Sequence, residues 1–143
     1  ALGFRIDNVT LAAGCEQVDN VPENKALALV ATREQVREVV ALYMQQRRNL
    51  LVSFLQQLRT LQAALSASDV FATHCFLRSS LLFVYDADTN QTRVRIIDLA
   101  RTSLLQDGKR LQHSVPWADG NGEDGYLTGL HNIITIFEGL LEG

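Results

Sequence analysis

The feature that most constrains this chain is an apolar stripe at helical intervals: Val36, Val39, Val40 and Tyr43, then Leu50, Leu51, Phe54, Leu58, Leu61 and Leu65. Side chains three and four apart share one helix face, so the segment reads as a long amphipathic helix or two packed against a core. Thr32 and Gln35 stand at the spacing of a capping box, which places the helix start. The polar run Gln45-Gln46-Arg47-Arg48-Asn49 interrupts the stripe for more than a turn, and a break is expected there. A second stripe, Leu127, Leu130, Ile133, Ile134, Phe137, Leu140 and Leu141, predicts a core-packed helix over residues 126–141, with the acidic pair Glu123 and Asp124 favouring its N-terminus.

Between these stripes the period changes. Ser79 to Asp86 and Arg93 to Asp98 are rich in β-branched and aromatic residues and flank the polar run Ala-Asp-Thr-Asn-Gln-Thr, which predicts a β-hairpin. Val94 and Ile96 fall on one face, with Arg93, Arg95 and Ile97 on the other. Ser66 to Asp69 offers N-caps for a short helix running to about Cys75. Gly3 to Leu11 alternates well enough for an edge or bulged strand, and residues 12–25 read as a surface loop. Residues 99–125 read as a long irregular stretch held to the body by Trp117.

Apolar residues are 47% of the 143 and charged residues 20%, which excludes intrinsic disorder and a disulfide scaffold. A formal charge of −3 offers no bulk basic field for nucleic acid. Of the 13 basic residues only Lys25 and Lys109 are lysine; the rest are arginine, which suits paired planar contacts. The longest apolar run, Ala26 to Ala31, is far short of the roughly 20 residues that span a bilayer, so no membrane span is expected. Cys15 and Cys75 lack metal or redox spacing and read as free thiols of a reducing, cytoplasmic compartment. The opening Ala-Leu-Gly-Phe-Arg-Ile has neither an initiator Met nor a signal-peptide layout, so the chain reads as cut from something longer.

The residue most open to chemistry is Asp98, closing the apolar run Val-Arg-Ile-Ile before a loop. A hard cation such as Mg²⁺ takes one or two carboxylates and completes its shell with water and phosphate oxygens. A strand-end Asp more often forms a turn or cap, and the residues alone leave both readings open. The segment Asp119 to Gly125 matches neither a dinucleotide fingerprint, a P-loop nor an EF-hand, and reads as a turn into the last helix. His74, His113 and His131 have no metal spacing and read as structural or surface residues, and Arg47-Arg48 as a solvated charge pair.

Several motifs occur together and in order: Gly3-Phe4-Arg5-Ile6, the helix start Thr32 to Val36, Ser79-Ser80-Leu81-Leu82-Phe83-Val84-Tyr85, Ile96-Ile97-Asp98-Leu99-Ala100-Arg101-Thr102, and then Asp107-Gly108, His113, Pro116-Trp117, Gly120-Asn121, Glu123 to Leu127, Gly129-Leu130 and Asn132. In these the chain resembles the inositol polyphosphate kinases, most of all their inositol trisphosphate 3-kinase branch. The resemblance implies an α+β fold: the C-terminal lobe of a protein-kinase-like domain, with a β-hairpin ending in a metal-binding Asp, long helices and a C-terminal core helix. It implies transfer of the γ-phosphoryl group of ATP to an inositol polyphosphate, with inositol 1,4,5-trisphosphate and its 3-hydroxyl the expected pair. By match to the family's Ile-Asp-Phe-Gly/Ala motif, Asp98 is expected to hold the Mg²⁺ that bridges the ATP phosphates. Ser80 is expected to support the catalytic floor, and Arg5 and Thr10 to lie where substrate binds.

The family's Pro-x-x-x-Asp-x-Lys-x-Gly signature and its ATP lobe do not occur in these residues, so this segment alone is expected to be inactive. Any calmodulin control is expected only from segments outside it. Thr10 stands where the family usually carries a lysine, Leu99 for its Phe, Arg101 for its Lys or His, Gly122 for its Arg and His131 for its Asp. Thr10, Gly122 and His131 leave a second expectation, a non-catalytic inositol-phosphate-binding or scaffold relative of the same fold.

Overall fold

The computed structural model describes residues 2–11, 24–45, 47–116 and 118–143. A short helix α1 (Asn24–Leu27) leads to α2 (Arg33–Met44) and α3 (Arg48–Ser66). The expected capping box starts α2: the Gln35 N–H donates to Thr32 Oγ1, and the Gln35 side chain accepts from the Thr32 N–H. The expected break also occurs, because Gln45 turns left-handed (φ 49°) and its N–H donates to the Leu42 carbonyl. Ser68 then caps α4 (Asp69–Thr73), whose continuation to Cys75 does not occur; His74–Phe76 is instead strand β1.

The hairpin is β2 (Ser80–Tyr85) with β3 (Thr92–Ile97), antiparallel, with Ser80 opposite Ile97 and Tyr85 opposite Thr92. Its turn closes on Asp86, whose Oδ1 accepts from the Asp88 and Thr89 N–H groups, and these bonds hold its carboxyl below the usual range. Phe83 and Val94 face the helices, while Leu82, Val84, Arg93 and Arg95 face out. The long helix closes the sheet edge: Gln57 Nε2 donates to Thr92 Oγ1 at 2.7 Å, and Gln57 Oε1 accepts from the Val94 N–H at 3.0 Å.

The stretch expected to be irregular contains a 3-10 turn (Leu99–Arg101) and strand β4 (Thr102–Leu104), which pairs with β1 in a second two-stranded sheet. Its anchoring by Trp117 lies outside the described residues, as do Cys15 and most of the loop expected over residues 12–25. Helix α5 (Tyr126–Glu142) completes the fold. The core lies where α2, α3, α5 and the inner face of the hairpin meet, around Met44, Leu50, Phe54, Leu58 and Phe137. Phe83 stacks on Phe137 and meets Phe54 edge-on. Removing the fully buried Phe54 ring would cost about 3–5 kcal/mol. Helices with two small antiparallel sheets match the α+β expectation.

Residues 3–11 form no strand. They join neither sheet, and the surface that Gly3 crosses is helical. Alternation survives as packing: Leu2, Phe4 and Ile6 lie against the core while Arg5 and Asp7 point out. The segment is fixed by backbone contact. Gly3 (φ +76°) crosses Gly129 of α5 so closely that a Cβ on Gly129 would sit 2.6 Å from the Gly3 carbonyl oxygen. Asn132 Nδ2 donates to the Leu2 carbonyl at 2.8 Å, and Arg33 holds the Asn132 side chain with a donation of 2.6 Å.

Candidate functional site

Docking of residues 3–10 opposite the open end of the hairpin leaves a cleft of about 1030 Å³. Its walls come from that segment, from α2, from residues 76–83, from Ile97 and Asp98, and from the start of α5. Arg5, Thr10, Ser80 and Asp98, drawn from three separate stretches of sequence, all line it.

Asp98 follows β3 directly and is left-handed (φ 62°), a conformation that short polar side chains tolerate better than most. It precedes the 3-10 turn yet makes no side-chain cap bond, so its exposed carboxylate is uncommitted. The turn-former reading thus holds for its backbone and leaves its side chain free. Ser80, half-buried, opens β2 opposite Ile97, so the strand pairing carries it beside the Asp98 end of the hairpin. Arg5 is exposed and its Nε donates to Asp7 at 2.8 Å, and Thr10 is exposed at the far end of the same wall.

The floor holds polar groups that sequence reasoning did not single out. The hydroxyls of Ser79 and Tyr126 are buried without a geometrically sound hydrogen bond. Burial raises the Tyr126 phenol pKa; the nearby Ser79 hydroxyl opposes that shift and the Asp124 charge adds to it. Behind them Asp124 accepts from the Phe76 and Tyr126 N–H groups and from His113 Nδ1 at 2.8 Å. His113 is buried, its Nε2 lies 2.8 Å from the Phe71 carbonyl, and its ring stacks on Phe71 at 3.8 Å. Of the two acids expected to favour the α5 N-terminus, Asp124 does so, whereas Glu123 accepts from the backbone of Gln112 and His113. His113 is therefore a structural tie. Cys75 is a buried free thiol, as expected, with its pKa pushed up by burial and then by Asp124 and Glu123.

The fit of a divalent cation turns on this donor set. Among the described residues no three His, Cys, Asp or Glu side chains gather to hold a metal. One free carboxylate suits an ion that takes its other ligands from water and phosphate, and Asp98 offers one. Of the positions that depart from the family pattern, Thr10 lies in the cleft, while Leu99, Arg101, Gly122 and His131 are absent from its described lining. No helix among the described residues is long and apolar enough to cross a membrane.

Comparison with known proteins supports the family resemblance. Residues 1–138 match the family model for inositol polyphosphate kinase. The chain is 37% identical over 135 residues to human inositol-trisphosphate 3-kinase B, covering 94% of this chain and 13% of that protein. It is 39% identical over 141 residues to inositol-trisphosphate 3-kinase A of Rattus norvegicus, covering 99% and 29% of the two chains. It is 40% identical over 141 residues to human inositol-trisphosphate 3-kinase C, covering 99% and 20%. The chain therefore spans less than a third of the length of these relatives. With the family model matched almost end to end and these relatives 37–40% identical over nearly the whole chain, this chain belongs to the inositol polyphosphate kinase family.

Proposed function

We propose that this chain is the C-terminal lobe portion of a kinase catalytic domain that transfers the γ-phosphoryl group of ATP to an inositol polyphosphate, with inositol 1,4,5-trisphosphate and its 3-hydroxyl the preferred pair. The convergence of Arg5, Thr10, Ser80 and Asp98 on one cleft carries this reading. Asp98 would hold Mg²⁺ through its free carboxylate, at a position fixed by the end of β3. When bound, the ion supplies charge neutralisation on the ATP phosphates. Ser80 keeps the hairpin floor in register with Asp98, and the segment bearing Arg5 and Thr10 forms the opposite wall. Phosphoryl transfer depends on positioning and electrostatics, so this portion needs the nucleotide-binding lobe of the longer protein for turnover. A cytoplasmic location fits that substrate.

The test is kinase activity of the full-length protein with inositol 1,4,5-trisphosphate, alone and as Asp98→Asn. Loss of a charge that anchors the metal is expected to lower kcat about 100-fold or more. A variant with full rate would overturn the metal assignment. Thr10 favours a second reading, because a short neutral side chain lines the cleft where the family usually carries a lysine. On that reading the protein binds inositol phosphates without turning them over, and calorimetry showing tight binding with no product would establish it.

A further inference from the structure

Six non-glycine residues among those described have left-handed backbone: Gln45, Arg78, Asn90, Asp98, Asp107 and His113. Five have a local reason. Gln45 closes α2 through its own N–H, Asn90, Asp98 and Asp107 belong to the residue types that tolerate this region, and His113 is locked by the Asp124 and Phe71 bonds. Arg78 (φ 58°) has none. It lies in the link between β1 and β2, its side chain is exposed, and it makes no hydrogen bond, ion pair or ring contact with the described residues. Glycine is the unstrained residue for such a backbone, so folding does not explain an arginine there.

Its location does. Arg78 lines the cleft, and continuing the Ser80–Ile97 register by two residues brings it across the hairpin's open end from the loop that starts at Asp98. The described lining holds two cations. Arg5 is already paired with Asp7, which leaves Arg78 as the uncommitted one. A guanidinium offers five donors in a planar fork that matches phosphate oxygens, and here all are unspent.

The geometry points to Arg78 as a phosphate-binding residue of the cleft, contacting a phosphate group of the bound ligand on the Asp98 side. The inference rests on the proposed function and adds a contact which the family motifs do not assign. The phosphate can belong to the inositol substrate or to the nucleotide, and the two are separable. Calorimetry on the full-length protein would use inositol 1,4,5-trisphosphate in one arm and a non-hydrolysable MgATP analogue in the other. The variants are Arg78→Gly, which removes the fork and relieves the backbone, and Arg93→Gln, on the outer face of the hairpin away from the cleft.

Arg78→Gly is expected to keep or raise the melting temperature and to weaken one arm about tenfold, with a shallower dependence of log Kd on log salt. The weakened arm names the phosphate donor. Arg93→Gln is expected to change neither arm. If the unaltered protein binds both ligands and Arg78→Gly binds them equally well, this inference fails and the proposed function stands. If the unaltered protein binds neither ligand, the proposed function fails and the inference fails with it.

Discussion

Gly129→Ala tests how the cleft wall is held. In most helices this exchange stabilises by about 1 kcal/mol, because alanine has less backbone entropy to lose. At residue 129 the new methyl carbon would sit 2.6 Å from the Gly3 oxygen and 3.1 Å from the Gly3 carbonyl carbon, both backbone atoms that no rotamer change can move. Ordinary carbon–oxygen contact begins near about 3.3 Å, so the segment must retreat by roughly 0.7 Å, at the 1–3 kcal/mol typical of overpacking. That cost falls on the weaker partner, the irregular residues 2–6, while α5 keeps its own hydrogen bonds and gains propensity. The net change in global stability is therefore about 0–2 kcal/mol, and the local change is larger. Gly139→Ala is the control: it lies in the same helix, a Cβ there meets nothing within 4 Å, and it should stabilise by about 0.5–1 kcal/mol. Limited proteolysis should cut residues 2–6 faster in Gly129→Ala only, with weaker ligand binding because Arg5 and Thr10 lie on that wall. If Gly129→Ala stabilised as much as Gly139→Ala and left proteolysis and binding unaltered, the backbone crossing would not hold the wall.

Asp124→Ala should destabilise by about 3–5 kcal/mol in urea unfolding, because it strands the buried His113 ring and two backbone N–H groups at once. Thr32→Ala should cost about 1 kcal/mol, read by the same titration, and leave ligand affinity unchanged, since the capping box sits outside the cleft lining. Tyr43 gives a pH signature. Burial, and then the neighbouring Tyr85, push its pKa from 10 up to about 12. The folded state keeps the proton longer than the unfolded one, so this contribution is fully present below pH 10 and is lost as pH rises through 12. Melting temperatures should fall across that window and fall less in Tyr43→Phe. Equal alkaline slopes in the two proteins would remove Tyr43 as the cause.

How much of this was legible in the sequence follows from the range of each signal. Periodicity reports one element against its own burial, so α2, α3, α5 and the hairpin could be read from Val36 to Leu65, Leu127 to Leu141 and the runs around residues 80–97. Strands β1 and β4 have three residues each and pair across nearly thirty positions, too short for a period and too distant for a turn signal. Residues 3–11 alternate because one side meets the core, and alternation cannot tell whether the backbone will find a strand beside it. At the site, Asp98 was readable as an acid ending an apolar run. The His113–Asp124 tie was not, because an eleven-residue spacing matches no motif and only the loop's path brings the pair together. Arg78 carries no sign of its left-handed backbone in its identity, since that conformation is set by the chain on either side.

The charges of the cleft sharpen what a polyphosphate would meet there. Asp124 is spent on His113 and two backbone donors, and Arg5 and Asp7 largely cancel. The groups left to act on a ligand are the Asp98 carboxylate and the Arg78 guanidinium, of opposite sign at the same end of the hairpin. A carboxylate alone would repel phosphate, so on the proposed function Asp98 becomes useful only with a cation on it, and Arg78 supplies positive charge beside it that needs no metal. The two should therefore separate experimentally: removing Mg²⁺ with EDTA should abolish the Asp98 contribution to nucleotide binding and leave the effect of Arg78→Gly in place. An Arg78→Gly effect that vanished with the metal would mean that the guanidinium acts through the ion's ligands and not on a phosphate of its own.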